Sequence, residues 1–140
     1  MNVLVDTSIW SLAMRRGENE NKAVSKELTE LIRELRVQII GPVRQELLSG
    51  IKTDQQYQEL KKALSAFSDI PLTQVDFEKA AEFFNICRKN GIQGTNTDFL
   101  ICSIAYHHNL EIFTSDNDFG DYKKYLPIKL YMSPRGAIVR

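Results

Sequence analysis

Five acidic side chains stand where one chemical centre could use them: Asp6, Glu46, Asp98, Asp116 and Asp118. Asp6 directly follows the apolar run Asn-Val-Leu-Val, and Asp116 and Asp118 follow a second apolar run that ends at Thr114. Asp98 opens the most apolar stretch of the chain. Glu46 lies about one helical turn beyond the Gly41-Pro42 break. Carboxylates gathered at one place repel, which raises their pKa values and destabilises the fold. A divalent cation relieves that repulsion, and ligands that are all oxygen suit Mg²⁺ or Mn²⁺ rather than zinc. Such a metal orients a phosphodiester, lowers the pKa of an attacking water and stabilises the leaving oxygen. Singly, each acid has a plainer reading. Asp6 and Asp98 serve as helix caps, Asp116-Asn117-Asp118 as a turn, and Glu46 as a solvated charge. A cap needs only one short polar residue, and Ser or Thr would serve as well. The joint pattern therefore favours a metal-binding cluster.

The elements that must position these acids read as alternating strands and helices. Residues 2–5, 37–40, 111–114 and 128–132 are short β-prone apolar runs. Residues 23–36 carry Val24, Leu28, Leu31 and Leu35 at helical spacing. Pro42 suits the first helical position and opens a helix through Val43, Leu47, Leu48 and Ile51. Thr53 and Gln56 match a capping box, followed by the stripe Tyr57, Leu60, Leu64 and Phe67. Residues 69–73 form a poor strand or only a connection. Residues 76–90 make an amphipathic helix stopped by Gly91, and residues 98–108 a helix apolar almost all round. The alternation predicts an α/β sandwich with a mainly parallel central sheet flanked by helices. Open sheets of this kind bind ligands beyond the carboxyl ends of their strands, which is where the acids fall.

The chain has 140 residues, the size of one domain, and the reading is a single domain over 1–140. Its 43% hydrophobic and 26% charged residues are ordinary globular composition. Lys+Arg and Asp+Glu both number 18, so bulk positive charge is not what would hold nucleic acid here. No signal peptide is visible, and no apolar run approaches the roughly 18 residues that span a bilayer. Cys87 and Cys102 lie in apolar helical surroundings without a CxxC or zinc spacing, and read as buried thiols of a cytoplasmic protein.

Other chemistries fit poorly. The chain has no phosphate-binding GxxxxGK[ST] loop, no GxGxxG and no HExxH. His107 and His108 read as helix-end residues. The DNDFGD stretch fails as a calcium loop, with Asp121 at the required glycine and Pro127 at the bidentate glutamate. No serine has an evident His/Asp arrangement for nucleophilic catalysis.

The segments VDTSIW (5–10), RQELLSG (44–50) and TDFLICSIAYHHNLEIFTSDNDF (97–119) carry a family resemblance. The chain resembles a PIN-domain ribonuclease, and within that family a VapC-type toxin of a bacterial toxin–antitoxin pair. The resemblance implies a PIN-like three-layer sandwich and a Mg²⁺ or Mn²⁺ site. It implies Asp6, Glu46, Asp98 and Asp116 as catalytic metal ligands, and Asp118 binding metal or its water. Ser8 and Thr114 match the small hydroxyl positions that support the acids. Asn109 stands where the family often has glycine, and asparagine also tolerates the left-handed conformation. Cys102-Ser103 replaces a common small-residue pair; neither departure touches a proposed ligand. The implied activity is metal-dependent endoribonuclease cleavage that inhibits translation. The implied partners are an RNA substrate, a cognate antitoxin and a second copy of the chain. Arg15, Arg16, Lys123 and Lys124 are candidate contacts to the RNA backbone, and the helices at 23–36 and 54–67 a candidate antitoxin groove. Three alternatives remain: a housekeeping PIN nuclease in RNA maturation, a non-catalytic PIN-like module binding RNA or protein, and another α/β metal phosphotransferase. The last should show paired acids near the first strand or a D-x-D after it, which Asp6-Thr7-Ser8 does not.

Overall fold

In the computed structural model of the chain, residues 1–14 and 22–134 are described. Four strands form one sheet: β1 (Val3–Val5), β2 (Val37–Gln38), β3 (Glu111–Phe113) and β4 (Lys129–Leu130). Their order is β2-β1-β3-β4, and every pairing is parallel. β1 is buried along its length because the sequence supplies only Val and Leu there, as a central strand requires. Its register sets Val5 beside Phe113, so the residues that leave β1 and β3 emerge as neighbours.

Seven helices accompany the sheet among the described residues: α1 (Thr7–Met14), α2 (Lys22–Arg33), α3 (Gly41–Leu48), α4 (Asp54–Leu64), α5 (Gln74–Lys89), α6 (Asn96–His108) and α7 (Asp118–Lys123). The mixed α/β architecture with a parallel central sheet is the one the alternation predicts. α5 and α6 pack together, with Phe83, Cys87, Phe99 and Cys102 all buried. Both cysteines are free thiols, as read from their surroundings.

The ends of elements differ from the sequence reading, each for a local reason. α2 stops at Arg33 rather than 36, because Leu35 takes a left-handed φ of 58° and the Arg36 amide folds back on the Leu31 carbonyl. α3 opens on Gly41-Pro42 as expected but ends at Leu48, with Gly50 at φ 81° just beyond. Thr53 caps α4 through the Gln56 amide, yet the helix ends at Leu64, leaving Phe67 outside it. Residues 69–73 are a connection, with only an isolated bridge from Asp69 to Ile39. α5 begins at Gln74, because Thr73 and Asp76 form a capping box that the sequence reading missed. Thr95, not Asp98, caps α6, which extends that helix back to Asn96. Asn109 ends it at φ 53° and ψ 51°, the left-handed conformation its side chain tolerates. α1 was offered only by the reading of Asp6 as a helix cap, and α7 was not read as a helix; both are short, and α7 begins at Asp118, the second of the supposed turn acids.

Candidate active site

The sheet order places a topological switch point between β1 and β3: the chain moves from β1 to β2 on one side, then crosses to β3 on the other, with all strands parallel. Open α/β sheets bind ligands in the crevice at such a point. Here the crevice is an open cleft of about 530 Å³, lined by Asp6, Glu46, Asp98, Asp116 and Asp118 together with Thr7, Ser8, Gln93, Gly94 and Thr95. All five acids singled out in the sequence therefore meet in one cleft. Among the described residues, no Lys, Arg or His lines it.

Asp6 sits deepest. It is buried, and its backbone amide continues the β1–β3 ladder by donating to the Phe113 carbonyl at 2.9 Å. Its Oδ2 accepts from the Ser8 hydroxyl at 2.9 Å and from the Thr114 hydroxyl at 2.8 Å, while Oδ1 accepts from the Thr7 amide at 2.8 Å. Ser8 in turn accepts from the Ser115 amide at 3.0 Å, and Thr114 from the Asp116 amide at 2.9 Å. These two hydroxyls thus tie the end of β1 to the loop after β3. Glu46 comes from α3, and its Oε1 accepts from the Thr7 hydroxyl at 2.7 Å. Asp98, in the first turn of α6, accepts the Tyr122 hydroxyl at 2.6 Å. Asp116 Oδ1 accepts the Asp118 amide at 2.9 Å, so these two acids form a turn and also line the cleft.

The electrostatics record the crowding. Burial pushes Asp6 above its ordinary value of 3.8, against the bonds from Thr114, Ser8 and Thr7, and the Asp116 charge adds to the rise. Burial also raises Asp98; the Tyr122 hydroxyl opposes this, and the charges of Asp6 and Asp116 reinforce it. Asp118 is raised first by the Asp116 charge and then by burial. Asp116 therefore lies within electrostatic reach of Asp6, Asp98 and Asp118, and Asp6 within reach of Asp98.

Among the described residues, no three His, Cys, Asp or Glu side chains stand ready-arranged around a metal ion. The carboxylates instead accept protein hydrogen bonds in their present rotamers. The donor chemistry nonetheless fits a hard divalent cation: five carboxylates and two hydroxyl side chains of α1 border one cleft, with no compensating positive side chain among the described residues.

Lys123 and Lys124 are exposed, and Lys124 pairs with Asp121 at 3.2 Å. Arg15 and Arg16 lie outside the described residues. His107 is a structural partner, with Nδ1 at 2.6 Å from Asp76. The sequence reading missed Thr7, Gln93, Gly94 and Thr95 as cleft residues, and Tyr122 behind them. Thr95 carried a findable signal, because a Thr three residues before Asp98 is a capping pattern. Gln93 and Gly94 carried none.

A parallel α/β sheet with an acid-lined cleft at its switch point defines the class of the molecule. The family model of the PIN domain matches residues 3–125, and the chain belongs to the PIN domain family. No curated protein sequence matches it. Among solved structures it is similar to FitAcB from Neisseria gonorrhoeae, at 20% identity and TM-score 0.74, over 93% of this chain and 96% of that one. It is similar to VapBC2 from Rickettsia felis, solved bound to a DNA fragment from its promoter, at 22% identity and TM-score 0.74, over 94% and 98%. It is also similar to VapBC-5 from Mycobacterium tuberculosis, a member of the VapBC family of toxin–antitoxin systems, at 15% identity and TM-score 0.67, over 95% and 100%.

Proposed function

We propose that the chain is a Mg²⁺- or Mn²⁺-dependent endoribonuclease, folded as a single domain, and the toxin of a type II toxin–antitoxin pair that inhibits translation. The observation that carries this reading is the convergence of five carboxylates on one cleft with no cationic side chain among its described lining residues. Asp6, Glu46, Asp98 and Asp116 would hold the metal, with Asp118 beside them. Ser8 and Thr114 fix the Asp6 carboxylate through their hydroxyls. The bound metal supplies Lewis-acid polarisation of the phosphodiester and a lowered pKa for the attacking water. The carboxylates left free of metal orient that water and accept its proton. Lys123, exposed at the end of α7, would meet the RNA backbone in this reading.

Similarity to toxin–antitoxin structures supports a cognate antitoxin as partner, and an arginine from it would pair bidentately with the same carboxylates and displace the metal. A homodimer and a cytoplasmic location belong to the same reading. No described helix is long and apolar enough to cross a membrane.

The test is cleavage of mixed total RNA by the purified chain in Mg²⁺ or Mn²⁺, then in EDTA, beside Asp6→Ala and Asp98→Asn. Discrete products that need metal are expected, with both variants slowed by about 10²–10³-fold, the scale of removing one charge-stabilising group. Cleavage that persists in EDTA, or in Asp98→Asn at the wild-type rate, overturns the reading.

A further inference from the structure

Behind the cleft, α7 turns a fully buried tyrosine toward Asp98. Tyr122 has no exposed surface, and its hydroxyl lies 2.6 Å from Asp98 Oδ2. Its ring packs against Phe99 with centroids 5.0 Å apart and against Phe119 at 5.1 Å. Both neighbours are themselves fully buried, so the phenol has no room to rotate away. The loop before α6 is shaped to admit it: a Cβ on Gly94 would run into the Tyr122 hydroxyl, with the ring carbon that bears it only 2.8 Å away. Gly94 has no left-handed φ, so backbone conformation does not call for glycine there. The room for Tyr122 does.

We propose that Tyr122 is a positioning residue: its hydroxyl fixes the Asp98 carboxylate at the angle the cleft needs, and Gly94 is the notch that lets it. The inference rests on the metal-binding reading of the cleft. The Asp98 carboxylate is crowded by the charges of Asp6 and Asp116, and only the neutral hydroxyls of Tyr122 and Thr95 oppose the crowding, since among the described residues nothing positively charged lines the cleft. A neutral phenol can restrain it without adding a charge that competes with the metal. A lysine or arginine in that place would pair with Asp98 and oppose cation binding. Asp118, on the same short helix, lines the cleft while Tyr122 lies buried behind it, so one element carries an acid and the brace for another. Groups that orient a metal ligand through a hydrogen bond typically change metal affinity or activity by about 10–100-fold when removed.

The experiment is Mn²⁺ titration of the antitoxin-free chain by calorimetry, with electron paramagnetic resonance of free Mn²⁺ as a second readout, for the wild type and Tyr122→Phe. Phenylalanine keeps the packed ring and deletes only the hydroxyl. A Mn²⁺ dissociation constant raised by about 10–100-fold is expected, with cleavage at saturating Mn²⁺ largely restored. Gly94→Ala should weaken Mn²⁺ in the same direction by crowding the hydroxyl. A Tyr122→Phe chain whose melting temperature falls but whose Mn²⁺ affinity stays within twofold of wild type shows a merely structural tyrosine and overturns the inference alone. Absence of Mn²⁺ binding by the wild type overturns the metal reading, and this inference falls with it.

Discussion

Asp6 and Asp98 show what a crowded acid costs one side chain. Each has a pKa pushed above 3.8 by burial, and each is pushed further by neighbouring negative charge. A raised carboxylate pKa means that the folded chain holds the ionised form less well than the unfolded chain does. The destabilisation is absent below the unfolded value and is complete once pH has risen through the higher folded value. Neutralising Asp98 should therefore stabilise the metal-free chain while it removes activity. Asn can still accept the Tyr122 hydroxyl through its amide oxygen. Asp98→Asn is expected to gain about 0.5–2 kcal/mol, or roughly 2–6 °C in melting temperature at neutral pH without divalent metal. Calorimetry of the two proteins checks this, and an unchanged or lower melting temperature for the variant contradicts it. Asp6→Asn is a poorer choice, because both Asp6 oxygens already accept donors and an amide nitrogen must face one of them.

At the scale of elements, the α5–α6 pair rests on Asp76. Its carboxylate accepts the Thr73 amide at 2.9 Å and the Thr73 hydroxyl at 3.0 Å, and meets His107 of α6 at 2.6 Å. Burial alone would raise its pKa; the Thr73 amide, His107 and the Thr73 hydroxyl outweigh that and hold it below 3.8. The sign is opposite to that of Asp98. Asp76 contributes stability fully above 3.8, and the contribution drains as pH falls through its lower folded value. Asp76→Ala should cost about 1–3 kcal/mol at neutral pH, and Asp76→Asn should flatten the acid limb of stability. Urea melts above and below pH 3.8 measure both. The long helices and the apolar strands were legible because their periodicity extends over enough residues to register. α1 and α7, with 8 and 6 residues, offered too short a window, and their starts are set by the acids of the cleft rather than by an apolar stripe. Ends were misplaced where side-chain caps decided them, as at Thr73 and Thr95. Among site residues, the acids were legible because strand ends point to them. The Tyr122 bond was not, because which partner a phenol meets is fixed only when α7 and α6 are packed together.

Over the whole molecule the formal charge is +0, yet the cleft gathers five acids and, among the described residues, no base. Bound Mn²⁺ should therefore stabilise the chain as a ligand of the folded state only, by about 2.7 kcal/mol at a hundredfold excess over its dissociation constant. Melting scans with Mn²⁺ and after EDTA test this, and a midpoint indifferent to Mn²⁺ contradicts it. The order β2-β1-β3-β4 also has a bearing on how the molecule is made. β1 is an inner strand, and the neighbour that covers its second edge, residues 111–113, follows it by more than a hundred residues. Asp6 gains its Thr114 partner only after that neighbour exists. A nascent chain that has reached only residue 110, or a fragment cut short there, lacks Asp116 and Asp118 and leaves Asp6 with Thr7 and Ser8 but without its Thr114 partner. Under the proposed RNA-cutting function, a chain emerging from a machine built of RNA would thus lack its complete cleft until the residues past Asp118 have been translated.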